Sequence, residues 1–270
     1  MPRKYKLSDQ EYLLTDHYKD ASNLNARIEL HRRFSTNKQG WTRWVFDQLN
    51  LPSECRILEL GCGPGDLWCE NLDHVPTGWQ ITLTDFSPGM LQQAQENLAG
   101  SGRPFEFEIV DAQSVPYNDE SFDVVIANHM LYHVPDRAQA LGEIRRVLKA
   151  GGRFYASTVG LGHMRELYEI IDRFDPDKKL QHVVPPFTLE NGQEQLALWF
   201  TQITLRRYED DLVITEVELL VAYILSLADA KSVFVDPKLA KLIEYLEQEI
   251  ATHGAIHITK DSGVFEALPD

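Results

Sequence analysis

Residues 56–65, RILELGCGPG, join a short apolar run to a glycine-dense turn, and beyond Gly65 the pattern becomes helical. Strand, tight turn and helix follow one another there. At such a turn the backbone can pass close to a nucleotide-like ligand, because glycine lacks the Cβ that would stand in the way. The unit then recurs with other residues. Gln80 to Thr84 reads as a strand ending at Asp85, and Ser87 with Pro88 supplies an N-cap and a first-turn proline for a helix through Leu98. Phe105 to Val110 is a third strand, ending at Asp111. Phe122 to Ala127 (FDVVIA) is a fourth, apolar apart from Asp123 near its start, as a strand buried on both faces should be. Asp136 caps a helix running through Lys149, with Gly151 and Gly152 as its stop signal, and Arg153 to Ser157 is a fifth strand. Strands alternating with helices at this interval imply right-handed βαβ crossovers and a parallel sheet.

Outside this stretch the alternation fails. Leu24, Ile28 and Leu30 to Phe34, then Trp41, Trp44, Val45 and Leu49, predict two helices before the first strand. His163 to Phe174 and Thr188 to Phe200 read as helices separated by the break at Pro185 and Pro186. Ile203 to Ile214 reads as a sixth strand with a turn around Asp210 and Asp211, and Thr215 with Glu218 signals a capping box for a helix through Leu227. Lys238 to Ile250 is an amphipathic helix, and Ala255 to Thr259 and Gly263 to Ala267 are short closing strands. The expected fold is α/β, a seven-stranded, mostly parallel sheet with helices on both faces. Its divisions are an N-terminal helical cap (1–50), a core (51–159), an inserted lid (160–200), and a remainder (201–270) whose helical insertion, 215–253, joins the lid.

With 270 residues, 43% of them hydrophobic, the chain can bury one large core and a modest second lobe. A formal net charge of −15 opposes close approach to phosphate backbones, so nucleic acid is not the expected partner. The basic cluster Met1 to Lys6 reads as a solvated tail. Cys55, Cys62 and Cys69 are odd in number and lack the paired spacing of a zinc site, so inert reduced thiols and no metal are expected. No run is long and apolar enough to span a bilayer or form a signal peptide, and a cytoplasmic location with no membrane partner is expected.

Three features bear on chemistry. The turn at Gly61, Cys62, Gly63 and Gly65 and the carboxylate of Asp85 suit a ribose-bearing ligand of either a dinucleotide or a sulfonium type. Asp111, ending the third strand, adds an acceptor for an adenine amino group, with the Ala112 amide as donor to a ring nitrogen. Either carboxylate alone is equally a strand terminator, but together they disfavour a pyrophosphate and suit a cation.

The segments ILELGCGPG, LTDFSPGML, VDAQSVPYNDESFDVVIANHMLYHVPD and RVLKAGGRFYAST, in unbroken order from Arg56 to Thr158, resemble the successive motifs of Rossmann-like S-adenosylmethionine-dependent methyltransferases, with a texture similar to the ubiquinone and menaquinone C-methyltransferases. The closing GVFEA resembles that family's reversed last strand. The resemblance implies S-adenosylmethionine as cofactor and transfer of its methyl group to a small molecule. It also implies that Glu59 and the turn Gly61 to Gly65 hold the methionine portion and that Asp85 holds the ribose hydroxyls. Phe86 and Met90 would then bracket the adenine, Asp111 and Ala112 would bond its edge with Gln113 adjacent, and Asn128 would face the sulfonium region.

Methyl transfer from a sulfonium needs alignment and exclusion of water, and a base only where the accepting atom carries a proton. His133 is the candidate base, with His129 behind it, and the reading weighed above catalysis for both is packing or hydrogen bonding within their loop. Arg27 and His31 lie one turn apart on the first predicted helix and can meet one ligand together, or else form a solvated face. Tyr12, Tyr18, Phe34, Trp41 and Trp44 read as core, and Asp172, Asp175 and Asp177 as a surface turn. The alternatives are a nicotinamide-dependent oxidoreductase, which leaves Asp111 and the last strand pair unexplained, and a methyltransferase-like domain that binds without turnover.

Overall fold

A computed structural model describes residues 8–17, 22–175, 180 and 184–269. The basic cluster 1–6, Tyr18 and Asp177 lie outside them. Nine strands form, in chain order β1 (Glu54–Leu60), β2 (Gly78–Asp85), β3 (Phe105–Ile109), β4 (Phe122–Asn128), β5 (Leu148–Val159), β6 (Gln202–Tyr208), β7 (Asp211–Ile214), β8 (Ile256–Thr259) and β9 (Ser262–Leu268). Seven of them make one sheet in the order β3-β2-β1-β4-β5-β9-β6. The first five are mutually parallel, and β9 runs antiparallel between β5 and β6. The order reverses between β1 and β4, which is where ligands settle in open α/β sheets.

The helices are α1 (Gln10–Tyr12), α2 (Ser22–Phe34), α3 (Trp41–Gln48), α4 (Asp66–Cys69), α5 (Pro88–Leu98), α6 (Arg137–Val147), α7 (Arg165–Phe174), α8 (Gly192–Leu196), α9 (Val217–Leu225), α10 (Ala230–Val233) and α11 (Lys238–His253). The expected caps of the sheet helices form, with Ser87 Oγ accepting from the Met90 amide at 3.3 Å and Asp136 Oδ1 from the Gln139 amide at 3.0 Å. No helix of the described residues is long and apolar enough to cross a membrane.

One apolar core lies on each face of the large sheet. Leu58, Val125, Phe154 and Phe265 pack on one face with α6, while Ile57, Ile126, Tyr155 and Val264 pack on the other with α3, α4 and α5. A third core, separate from the sheet, gathers Leu30 and Phe34 of α2, Leu167 and Ile171 of α7, Leu212 and Ile214 of β7, Leu220 and Ile224 of α9, Leu242 and Leu246 of α11, and Ile258 of β8. Residues of this lobe and of the carboxyl ends of the strands line one cavity.

Several expectations differ from what forms. The run Ile203 to Ile214 is two strands in two sheets, because the chain leaves the large sheet at Glu209–Asp210 and β7 pairs with β8 instead. Ala255 to Thr259 therefore closes the lobe and not the main sheet. The helix expected through Lys149 stops at Val147, since Leu148 pairs with Phe122 and the strand continues through Gly151, at φ 70°, as an irregularity in register. Thr188 to Phe200 is helical only over α8, where Gly192 presses on the Phe265 ring so closely that a Cβ would sit 2.5 Å from it. This stretch, with Phe187, Leu196 and Phe200 buried, packs on the sheet core and not over the strand ends. The capping box at Thr215 and Glu218 does not form; Glu216 occupies the cap position and pairs with Arg33 of α2 at 2.6 Å. Asp175 is buried and accepts from the Leu180 amide at 2.6 Å, so it is no surface residue.

Candidate functional site

Four strand ends converge at the reversal of the sheet. After β1 the turn passes through Gly61, Gly63 and Gly65 at φ 70°, 55° and 83°, left-handed conformations that favour glycine. Gly61 is also required by packing, because a Cβ there would stand 2.8 Å from Met130 Cβ. At Gly63 a Cβ would meet only Leu24 Cδ2, at 3.9 Å, so this part of the turn faces open space. Asp85, ending β2, holds the turn in place: its Oδ2 accepts from the Gly63 amide at 2.9 Å and its Oδ1 from the Ser87 amide at 2.8 Å. Asp111, following β3, accepts from the Gln113 amide at 2.9 Å and from Gln10 Nε2 at 3.1 Å. Asn128, ending β4, donates to Glu59 Oε1 at 3.3 Å, and its own Oδ1 is buried with no hydrogen-bond partner.

Glu59, Gly61, Cys62, Gly63, Asp85, Phe86, Met90, Asp111, Ala112 and Asn128 thus line one cavity of about 1040 Å³. Two expected residues do not reach its wall. Gly65 turns toward Ala94 and Leu98 of α5, and Gln113 folds back on Asp111 while accepting from the Asp136 amide at 3.0 Å. The volume exceeds what a single small ligand fills, and the cavity continues from the glycine turn to the lobe.

The turn end of the cavity is rich in strained carboxyls. Burial pushes Glu59 up to about 7, against the hydrogen bonds from Trp68 and Asn128, and the nearby Asp85 and Asp66 add to the rise. Burial also lifts Asp66 to about 6 and raises Asp85 from its ordinary value, against the backbone hydrogen bonds that it accepts. Each of these groups gains from a cation brought beside it. The cysteine thiols are raised by burial, Cys55 to about 12 and Cys69 to about 11, with Cys62 well above its ordinary value, so all three are protonated at neutral pH.

The lobe end differs in chemistry. His31 of α2 is flanked by the His163 ring, 6.4 Å away and nearly parallel, and by the edge of Tyr223 at 5.8 Å. Burial drives its pKa well below 6.5, and Lys260, His163, His129 and Arg27 drive it further. Arg27 donates to Ser226 Oγ at 3.0 Å and to the Ser226 carbonyl at 2.6 Å. Both expected partners, Arg27 and His31, therefore face the cavity, and the solvated alternative does not apply. Trp41 lines the wall as well, 5.0 Å from the His129 ring, whereas Phe34 is buried in the lobe. His129 adopts φ 49°, and burial lowers its pKa to about 4. His133 ends the short helical turn Leu131–His133 and lies on the cavity wall, edge-on to Tyr132 at 4.5 Å. His163, Tyr223 and Lys260 carried no local signal, because each is brought to the site by a distant element, whereas Trp68 belongs to the helix that follows the turn.

Residues 58–156 match the family described as Methyltransferase domain. A ubiquinone/menaquinone biosynthesis C-methyltransferase of Desulfotalea psychrophila is 35% identical over 115 residues, 43% of this chain and 46% of the relative. A demethylmenaquinone methyltransferase of Lactobacillus johnsonii is 33% identical over 143 residues, 50% of this chain and 59% of the relative. The chain spans about half the length of these curated relatives. Among solved structures, phosphoethanolamine N-methyltransferase 2 of Haemonchus contortus, in complex with S-adenosyl-L-methionine, superposes with a TM-score of 0.60 at 17% identity, covering 96% of this chain and 59% of that one. The YcgJ protein of Bacillus subtilis gives 0.57 at 17% identity, covering 85% and 98%. At these identities the structures share the fold.

Proposed function

We propose that the chain, whose residues 58–156 match the family described as Methyltransferase domain, is an S-adenosylmethionine-dependent methyltransferase acting on a small molecule in the cytoplasm. The observation that carries this reading is the buried Glu59 with the half-buried Asp66 and Asp85 around a left-handed glycine turn at the reversal of the sheet. The residues present fit the cofactor. Space stands open at Gly63, the buried Asn128 Oδ1 has no partner, and the carboxyls suit a ligand that carries ammonium and sulfonium charge. A pyrophosphate would meet repulsion on the same wall, which disfavours the oxidoreductase alternative.

When bound, S-adenosylmethionine supplies an electrophilic methyl group. Glu59 and Asn128 would hold the amino-acid portion, and Asp85 would accept from the ribose hydroxyls while keeping the turn in register. Asp111 and the Ala112 amide would bond the adenine edge, which Phe86 and Met90 would bracket. The lobe excludes water and aligns the acceptor, which is how proximity lowers the barrier. His133 accepts a proton where the acceptor atom carries one. Three protonated, unpaired thiols suit a reducing compartment.

Thermal unfolding with S-adenosylhomocysteine or NADH tests the reading, because a ligand that prefers the folded state raises the midpoint. A shift with NADH alone would sink it.

A further inference from the structure

Both oxygens of Asp111, the carboxylate that follows β3, already carry two donors each. Oδ1 accepts from the Gln113 amide at 2.9 Å and from Gln113 Nε2 at 3.0 Å, while Oδ2 accepts from Gln113 Nε2 at 3.1 Å and from Gln10 Nε2 at 3.1 Å. A carboxylate offers about four such positions, two on each oxygen. An amino group arriving at Asp111 must therefore displace a donor that is there.

The two glutamines are held very differently. Gln113 is fixed on several sides, since its Oε1 accepts from the Asp136 amide at 3.0 Å, its carbonyl accepts from Gln139 Nε2 at 2.7 Å, and its own amide closes a local turn onto Asp111. Gln10 lies 101 residues away in the chain. It stands on α1, a helix of three residues with none of them buried, whose N-cap Asp9 accepts from the Tyr12 amide at 3.2 Å and which is followed by the buried Leu13. Segments with few buried contacts and exposed hydrogen bonds open at the low end of local stability. Gln10 is the donor that yields. Asp9, Gln10, Leu13 and Leu14 line the same cavity as Asp111 and Ala112, so Gln10 sits where the adenine amino group would come.

We propose that Gln10 latches residues 9–14 onto Asp111, and that the amino group of the adenine takes its place there when the cofactor binds. The latch rests on the reading of the chain as a methyltransferase and adds a control on entry of its cofactor. The exchange swaps one donor to a charged acceptor for another, so recognition of the amino group adds little to affinity while Gln10 is present. Cofactor binding and release of the segment are then one event.

Calorimetry of the full chain with S-adenosylhomocysteine, and with its analogue bearing hydrogen in place of the adenine amino group, tests the latch. Failure of both to bind would overturn the methyltransferase reading and the latch with it. In the unsubstituted chain the two ligands should bind within about threefold of one another, because one bond replaces another. Gln10→Ala frees the acceptor, so S-adenosylhomocysteine should bind about tenfold tighter, the effect of one hydrogen bond to a charged group, while the analogue changes by less than about twofold. Gln10→Met keeps the length of the side chain and removes the donor, and should match Gln10→Ala. Hydrogen exchange gives a readout independent of affinity: the amides of Tyr12 and Leu13, both bonded to Asp9, should lose protection when S-adenosylhomocysteine binds. Weaker binding in the two variants, an equal response of the two ligands, a gain in Gln10→Ala alone, or added protection at Tyr12 and Leu13 would overturn the latch while leaving the cofactor reading intact.

Discussion

Trp68 Nε1 donates to Glu59 Oε2 across 2.5 Å inside the wall of the cavity, so the first acidic residue of the glycine turn is anchored by an indole from the following helix. The bond orients one carboxylate oxygen and leaves the other to Asn128. With a pKa of about 7, Glu59 is only partly ionised at neutral pH. Binding of a cation draws the proton off. Affinity for S-adenosylhomocysteine, which retains the ammonium group, should rise about tenfold between pH 6 and pH 8, and proton release should appear in calorimetry with buffers of different ionisation enthalpy. Glu59→Gln should flatten both. The sign for the unliganded chain is opposite: a carboxyl raised from 4.5 to about 7 contributes stability that is complete below pH 4.5 and lost as pH passes about 7.

Asp85→Ala removes the acceptor proposed for the ribose and also frees the Gly63 and Ser87 amides that the carboxylate holds. At about 1.5 to 3 kcal/mol for each hydrogen bond to a charged group, cofactor affinity should fall by two orders of magnitude or more. Unchanged affinity in a folded variant would remove Asp85 from the site.

Gly61 and Gly63 should part company. Gly61→Ala drives a Cβ into Met130 and should lower the unfolding midpoint by several degrees. Gly63→Val adds bulk to open space and should abolish cofactor binding with a smaller loss of stability, since only its left-handed φ is then strained. Circular dichroism and calorimetry on the two variants check the contrast.

Hydrogen exchange with S-adenosylhomocysteine should show added protection in α2 and α7, whose residues line the lobe end of the cavity. Residues 187–200 should not change, because they pack on the sheet core. Protection gained over 187–200 and not over α2 would reverse the assignment of the lid.

His133→Asn should lower the transfer rate by about 10² to 10⁴ for an acceptor whose reacting atom carries a proton, and should remove the acidic limb of the pH–rate profile. A retained limb would assign it to another group.

The turn end of the cavity was legible because its residues are local. Gly61, Asp85, Asp111 and Asn128 each sit at or just after the end of a strand of the large sheet, and strand ends are marked by the switch from apolar to polar residues. The lobe end was not. His163 and Lys260 are adjacent only because β7 and β8 leave the main sheet together, and the run Ile203 to Ile214 gave no sign that Asp210 would pair with Lys260. Tertiary ion pairs also overrode local preference, as where Arg33 takes Glu216 and the capping box at Thr215 fails to form.

The lobe's small sheet continues the edge of the large one. Tyr208 at the end of β6 pairs with Ser262 at the start of β9, and Asp211 at the start of β7 pairs with Thr259 at the end of β8, with Glu209 and Asp210 on one strand and Lys260 and Asp261 on the other at the break between them. The helices α9, α10 and α11 are therefore the tip of a single long hairpin, grown into a helical cluster. Hairpin tips accept insertion and replacement with little effect on the strands that carry them. A lineage can exchange the lobe end of the cavity by redrawing this tip, while the glycine turn at its other end stays as it is.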